Sequence, residues 1–156
     1  MNNNPHILGL DISSTNLGFC LYAGRVLASG EQKLTGAIEA RCAQAYNALW
    51  QLLHDWPAVD VLAIEAPVAR FASAVIPQCR VSGAILTLAG QRGIPVVEVS
   101  PAAAKFALTG RGGASKDTMM SRARAYGVVG EHAADALGVA LASLRRVEVV
   151  ESEPAL

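Results

Sequence analysis

The feature that most constrains the fold is a pair of apolar runs near the start of the chain, joined by small polar residues. Residues 7–12 are apolar except for Asp11, and residues 19–23 are apolar again. This pattern predicts a buried strand, a tight turn and a returning strand. A carboxylate inside a strand fit for burial costs free energy unless a metal ion or a basic group pairs with it. Asp11 is therefore either a turn cap or part of a site.

The remaining elements follow from the spacing of apolar residues and of glycine and proline. Strands are predicted at 25–34, 59–64 and 94–99, a loop at 70–77, and helices at 36–56, 76–92, 101–109, 115–126 and 132–145. Ser100 and Ser115 are the predicted N-caps of the third and fourth helices. Three antiparallel strands followed by alternating helices and strands give an α/β fold, a mixed five-stranded sheet with helices on both faces. All 156 residues form one domain, whose tail from about residue 147 we expect to fray.

The predicted helix at 76–92 carries a stripe of apolar and small residues. Glycines in this stripe would let the backbone of another helix approach closely; its members are Ile76, Cys79, Gly83, Leu86 and Gly90. The cysteines Cys20, Cys42 and Cys79 are too few and too widely spaced for a disulfide framework or a zinc module. We expect them to be core residues of a protein from a reducing cytoplasm.

Charge is unevenly distributed along the chain. The sequence is 52% hydrophobic and 17% charged, which excludes extensive disorder, and no apolar run reaches the roughly 18 residues of a membrane span. Residues 66–130 hold eight basic and two acidic residues, a net charge of +6, and the rest holds five basic and eleven acidic residues, a net charge of −6. Ordinary surface charge could produce these totals. They also suit a protein that holds a polyanion near carboxylates.

Acidic residues interrupt three apolar elements: Asp11, Glu65 at the end of the fourth strand, and Asp135 early in the last helix. His132 precedes Asp135 by three residues, so both project from one helical face. Oxygen ligands with one imidazole suit magnesium or manganese better than zinc. Two such ions roughly 4 Å apart can hydrolyse a phosphodiester, with Lys116 placed to contact the phosphate. Taken singly, each residue also has an ordinary structural explanation.

Several motifs together indicate a family. They are Gly9-Leu-Asp11 with Thr15-x-x-Gly18, Ala63-Ile-Glu65, Ala114-Ser-Lys116, and the run His132-Ala-Ala-Asp135-Ala-Leu-Gly-Val-Ala140. In this order they resemble the RuvC family of Holliday-junction resolvases, which has the ribonuclease H-like fold. The similarity extends from about Ile7 to Leu144, nearly the whole chain.

The resemblance implies a bacterial or phage endonuclease of the cytoplasm, a homodimer that resolves four-way DNA junctions by paired symmetric nicks. It places catalytic metal ligands at Asp11, Glu65, His132 and Asp135. They would bind two Mg²⁺ ions, which Mn²⁺ could replace. Functional lysines match Lys105 and Lys116, and the dimer helix matches 76–92. Nothing in the sequence indicates a branch-migration motor as partner.

This chain departs from the family at two places. It has Ile12-Ser13-Ser14 where bacterial resolvases usually carry Pro-Gly-Ser. The position three residues beyond Glu65, often aromatic, is Val68, and Phe71 follows three residues later. The set expected to contact DNA is Arg70, Phe71, Lys105, Arg111 and Lys116, although Phe71 could equally be buried beneath the loop.

Two other functions fit part of the pattern. One is a junction-binding protein with weak or no catalysis that serves in recombination or packaging. The other is a fragment of an actin-like or sugar-kinase-like ATPase, whose phosphate loops also read Gly-x-Asp-x-x-x-Thr-x-x-Gly. Those ATPases need two such domains around the nucleotide, and 156 residues supply one.

Overall fold

The computed structural model of the protein describes residues 4–68 and 72–152. In this part of the chain, five strands form one sheet in the order β3-β2-β1-β4-β5, and five helices cover it. The elements are β1 (Ile7–Ile12), β2 (Asn16–Tyr22), β3 (Val26–Lys33), α1 (Ile38–Asp55), β4 (Val61–Glu65), α2 (Ala72–Arg92), β5 (Val96–Val99), α3 (Pro101–Thr109), α4 (Lys116–Arg124) and α5 (Glu131–Ser152). The predicted mixed sheet of three antiparallel and two parallel strands is confirmed.

Strand β1 lies at the centre of the sheet, antiparallel to β2 and parallel to β4. Leu10 pairs with Phe19 on one side and with Ile64 on the other. Because side chains alternate along a strand, Leu8 and Leu10 point to one face of the sheet, while Gly9 and Asp11 point to the other. The carboxylate of the first strand therefore faces a different helical layer from its leucine neighbours.

The two faces of the sheet carry different helices, as the sequence predicted. Helices α1 and α2 pack on one face, where Leu8 and Leu10 join Leu49 of α1 and Ile85 of α2 in a buried cluster. Helices α3 and α5 pack against each other on the opposite face, and α5 contacts both β1 and β2. Each fully buried leucine or isoleucine contributes about 1.5–3 kcal/mol relative to exposure. Most of the largest buried side chains belong to this cluster under α1 and α2, whereas Ile7, Met119 and Leu137 belong to clusters on the other face.

Helix α5 lies unusually close to the strands because the contact residues are small. A Cβ on Gly9 would lie 2.3 Å from the carbonyl oxygen of Ala136, and a Cβ on Gly18 would lie 2.2 Å from that of His132. The buried residues of this helix include Ala133, Ala136 and Ala140. Backbone therefore packs on backbone, which brings the first turns of α5 directly over the end of β1.

Two element boundaries differ from the predicted ones. Residues 72–77, assigned to a loop, are the first turns of α2, which contains Pro77. Pro77 therefore lies in the second turn of α2, where it cannot donate the hydrogen bond to the carbonyl four residues earlier and its ring crowds that carbonyl, yet the helix continues through it. Helix α5 continues past Arg145 to Ser152, and the rest of the predicted frayed tail lies outside the described residues.

The burial of the cysteines and the apolar character of the helices can also be compared with what the sequence predicted. All three cysteines are free; Cys20 is buried and Cys42 is half-buried. Cys79 is exposed on the outer face of α2, so its assignment to the core was wrong. Across the described ranges, no helix combines the length and the apolar character that crossing a bilayer requires.

Candidate active site

Asp11 and Glu65 lie at the ends of adjacent parallel strands. Leu10 of β1 pairs with Ile64 of β4, and each carboxylate follows immediately after its member of this pair. Parallel strands end at the same edge of a sheet, and side chains in register share a face. The two carboxylates therefore emerge side by side on the face that α5 covers.

The first turns of α5 bring the other predicted residues to the same place. His132 Nδ1 lies 2.7 Å from Asp11 Oδ2. Asp135 lies one turn further along and lines the same cavity as Asp11 and Glu65. This cavity has a volume of about 180 Å³, and its lining is Asp11, Glu65, Pro101, Ala104, Lys105, Lys116, Met119 and Asp135. One small cleft thus holds three carboxylates and two ammonium groups.

Capped helices carry the two lysines to this cleft. Ser100 accepts a hydrogen bond from the backbone N–H of Ala103 at 3.1 Å, which fixes the start of the helix that bears Lys105. Ser115 accepts one from the N–H of Thr118 at 3.2 Å, immediately before Lys116. Both predicted N-caps are confirmed. Each such cap stabilises a helix start by about 1 kcal/mol, so both short helices have a defined beginning.

The cleft disfavours negative charge. Burial, with a further contribution from Asp11 and then from Asp135, raises the pKa of Glu65 to about 7, and Lys105 opposes this. Burial, followed by the charges of Asp11 and Glu131, raises the pKa of Asp135 to about 6. Carboxylates that are desolvated and repel one another favour the arrival of a cation. This electrostatic state is typical of a functional site rather than of a structural ion pair.

Two further ion pairs involve the start of α5. The hydrogen bond to Asp11 raises the pKa of the His132 imidazole, against the effect of burial. Lys116 Nζ donates to Glu131 Oε1, and this contact raises the pKa of Lys116 and lowers that of Glu131. Both of the latter side chains are exposed, so their pairing stabilises the fold little. It holds the Lys116 ammonium at the rim of the cleft.

The donor groups match the predicted metal, although their arrangement is not that of a finished metal site. Within residues 4–68 and 72–152, no three His, Cys, Asp or Glu side chains are grouped so that they could hold an ion. Asp11 instead pairs with His132 Nδ1. A cation that took this nitrogen as a ligand would replace the hydrogen bond. Carboxylate oxygens next to one imidazole remain the donor set that suits Mg²⁺ or Mn²⁺.

The structure brings only part of the predicted DNA-binding set to the cleft. Lys105 and Lys116 line it. Arg111 is exposed in the loop between α3 and α4. Arg70 and Phe71 lie outside the described residues, and Val68, just before them, has 49% of its surface exposed.

Sequence reasoning missed Glu31, at the far end of β3. Its Oε2 accepts hydrogen bonds from the backbone N–H groups of His132 at 2.8 Å and of Ala133 at 3.2 Å. The partners are 101 and 102 residues away in the chain, and no spacing rule connects them. The sequence signal is limited to a carboxylate at the polar end of an edge strand, which is also what solvent exposure alone produces.

A five-stranded sheet in this order, with carboxylates at the ends of its two central parallel strands and on the helix that crosses them, defines a ribonuclease H-like fold. Residues 7–143 match the family described as crossover junction endodeoxyribonuclease RuvC. The protein of that name from Thermomicrobium roseum is 34% identical over 125 residues, which cover 76% of this chain and 76% of that protein. The one from Alkalilimnicola ehrlichii is 30% identical over 155 residues, 93% of this chain and 94% of that protein.

Solved structures agree with the sequence relatives. Thermus thermophilus RuvC superimposes with a TM-score of 0.76 at 25% identity, over 96% of this chain and 99% of that one. The same protein in complex with a Holliday junction substrate gives a TM-score of 0.78 at 22% identity, over the same shares of both chains. The chain belongs to the RuvC family of crossover junction endodeoxyribonucleases. This membership decides against the ATPase fragment considered from the sequence.

Proposed function

We propose that this protein resolves Holliday junctions by hydrolysing one phosphodiester in each of two opposed strands. The observation that carries the proposal is the cleft in which Asp11, Glu65 and Asp135 meet beside two lysines. Family membership supports the substrate class, since its relatives are crossover junction endodeoxyribonucleases and one is solved with a Holliday junction.

The raised pKa values in the cleft support a divalent-cation cofactor. Glu65 and Asp135 keep their protons more readily than exposed carboxyls, first because they are buried and second because their neighbours are also acidic. We assign Asp11, Glu65, His132 and Asp135 as the residues that would hold two Mg²⁺ ions, with Mn²⁺ as a substitute. Bound ions of this kind activate the attacking water and stabilise the leaving oxygen.

The chain's own residues position the DNA around these ligands. Lys105 and Lys116 line the cleft beside the carboxylates, so a phosphate held by the bound cations would meet two ammonium groups. Lys116 is paired with Glu131 at the surface. An exposed ion pair of this kind is weak, so a phosphate can replace Glu131 as the partner of Lys116. We infer that Lys116 leaves Glu131 to contact the scissile phosphate.

DNA binding beyond the cleft rests on the predicted basic residues. Arg111 is exposed in the loop that precedes Lys116, and we expect it to contact the backbone of a junction arm. Arg70 and Phe71 remain predictions from the sequence, as does the cytoplasmic location. Because phosphate contacts release counterions, we expect junction affinity to fall steeply with salt.

The outer face of α2 supports a homodimer. Val81, Ile85 and Leu88 are buried towards α1 and the sheet, whereas Ile76 and Leu86 are 51% and 40% exposed. The predicted stripe is therefore on the surface of the protomer. A Cβ at Gly83 or at Gly90 would meet nothing within 4 Å, so nothing inside the protomer requires glycine there. Two copies joined by this stripe would present two clefts, one for each strand to be nicked.

The dimer can be tested on this stripe directly. We expect sedimentation equilibrium at micromolar concentration to show a dimer for the natural chain. Gly83→Leu should fold normally, because the space around Gly83 is open within the protomer, and should shift the equilibrium to monomer. A natural chain that sediments only as a monomer would contradict the paired-nick mechanism.

A junction-binding protein without catalysis is the second candidate, favoured by two observations. His132 and Asp11 are hydrogen-bonded to each other, and the described residues contain no preformed metal set.

The experiment that separates the two functions incubates the protein with a mobile four-way junction and with matched linear, forked and bubble DNAs, in Mg²⁺, in Mn²⁺ and in EDTA. We expect metal-dependent nicks in opposed strands of the junction. Binding of the junction with no cleavage in either metal would favour the second candidate.

A further inference from the structure

We propose that Glu31 is a positioning residue, which holds the first turn of α5 so that His132 and Asp135 stay over Asp11. The inference rests on the active site proposed above. Glu31 is near the C-terminal end of β3, on the edge strand of the sheet, and is not one of the residues that line the cleft. Its role is therefore to fix a helix rather than to contact substrate.

The first evidence is the capping of α5. A helix start leaves four backbone N–H groups without helical partners. The N–H groups of His132 and Ala133 are two of these, and both donate to the same carboxylate oxygen of Glu31, at 2.8 and 3.2 Å. A negative charge at this end also interacts favourably with the helix dipole. The edge strand thus supplies the cap that the preceding loop lacks.

Gly130 explains why the loop before α5 supplies no side-chain cap. This residue has φ +110°, a conformation that side chains rarely adopt. A Cβ here would lie 2.7 Å from the carboxyl carbon of Glu31. The position that normally provides a Ser, Thr or Asp cap is therefore glycine, and the Glu31 carboxylate occupies the space its side chain would need.

The second evidence is a row across the sheet. Gly18 of β2 pairs with Asp11 of β1 on one side and with Glu31 of β3 on the other. His132 lies over the middle of this row, where its carbonyl oxygen would be 2.2 Å from a Cβ on Gly18. Asp11 bonds its imidazole, and Glu31 bonds its backbone N–H. His132 is thus held from both sides. These bonds fix the rotation of α5 about its axis and its distance from the sheet, and with them the position of Asp135.

The test compares Glu31→Ala with Glu31→Gln. The amide oxygen of glutamine can accept both N–H groups, since one carboxylate oxygen accepts them now. We expect Glu31→Ala to lower kcat for junction cleavage by about tenfold or more, because misplacing a catalytic group by about 1 Å can cost 10²-fold. Junction affinity in EDTA should stay within twofold, and Glu31→Gln should recover most of the rate. Glu98→Ala, an exposed carboxylate on the opposite edge strand, is the matched control and should behave as the natural chain.

A second readout does not depend on cleavage. Hydrogen exchange of the His132 and Ala133 amides should speed up about tenfold in Glu31→Ala and remain near the natural rate in Glu31→Gln. If Glu31→Ala kept both the natural amide exchange and the natural kcat, the inference would be overturned. Cleavage by Glu31→Gln that is as slow as cleavage by Glu31→Ala would also overturn it. The variant Asp135→Asn distinguishes a failure of the positioning role from a failure of the proposed active site. An active Asp135→Asn enzyme would contradict the site itself, whereas an inactive one beside a fully active Glu31→Ala would contradict only the positioning role.

Discussion

Replacing Glu65 by glutamine should make the metal-free protein more stable while it removes cleavage. The pKa of this carboxyl is raised to about 7 in the folded protein, mainly by burial and by Asp11. The folded chain therefore binds the proton more tightly than the unfolded chain does. Folding stability must fall as the pH rises from the ordinary pKa of 4.5 to about 7, and at pH 8 the whole loss is present. Glutamine carries no charge at any of these pH values.

The size of the effect follows from the same pKa. Each tenfold change in proton affinity is worth about 1.4 kcal/mol. The rise of the Glu65 pKa from 4.5 to about 7 therefore costs at most about 3 kcal/mol of folding free energy once this carboxyl is ionised. The cleft is open to solvent on one side, and screening reduces this to roughly 1–2 kcal/mol. For a chain of this length, 1 kcal/mol moves Tm by about 2–4 °C. We therefore expect Glu65→Gln to raise Tm by several degrees at pH 8 in EDTA, and by much less at pH 5.

The assay is thermal or denaturant unfolding in EDTA at both pH values, with Glu98→Gln as an exposed control on β5. Adding Mg²⁺ should stabilise the natural chain more than Glu65→Gln, because the variant lacks one of the assigned ligands. A variant that is less stable than the natural chain at pH 8, or equally shifted at pH 5 and pH 8, would refute the reasoning that burial and the neighbouring carboxylates disfavour the charge of Glu65.

Two further predictions concern the contact between α5 and the sheet and the basic rim of the cleft. Gly18→Ala should destabilise the fold by about 1–3 kcal/mol in denaturant unfolding and should slow cleavage, because a Cβ there meets the carbonyl of His132. Gly113→Ala, where a Cβ meets nothing within 4 Å, is its control, and equal stability of the two variants would contradict the close approach. Lys105→Ala should weaken junction binding and lower the slope of log affinity against log salt by about 1. An unchanged slope would mean that Lys105 does not contact phosphate.

The parts of the fold that rest on local patterns could be predicted from the sequence. The apolar runs around Asp11 and before Glu65 predicted two buried strands, and the spacing of His132 and Asp135 predicted one helical face for both. The meeting of these side chains followed from the sequence only on the condition that the first and fourth strands are neighbours, which they are. The reason is that burial and periodicity act over a few residues, and parallel strands share one edge. Ser100 was predictable as a cap for the same reason.

The parts that rest on distant contacts could not be predicted. The bonds from Glu31 to the start of α5 join residues about a hundred positions apart, and nothing in either segment indicates the other. The early start of α2 was missed because residues 72–75 carry no helical start signal of their own, and the predicted helix began only at residue 76. Cys79 was misplaced because its residue type is usually buried, while the face of α2 that it occupies is turned outwards.

The most direct test of the account is cleavage of a four-way junction by Asp11→Asn. Asp11 is the residue of the cleft that touches His132 and that raises the pKa of both other carboxyls. Asparagine keeps the shape but cannot supply the charge that a divalent cation needs. We expect nicking in Mg²⁺ to fall by at least 10³-fold, while junction affinity in EDTA stays within about twofold because the lysines are unchanged. Cleavage by Asp11→Asn at the natural rate would contradict the assignment of this cleft as the active site.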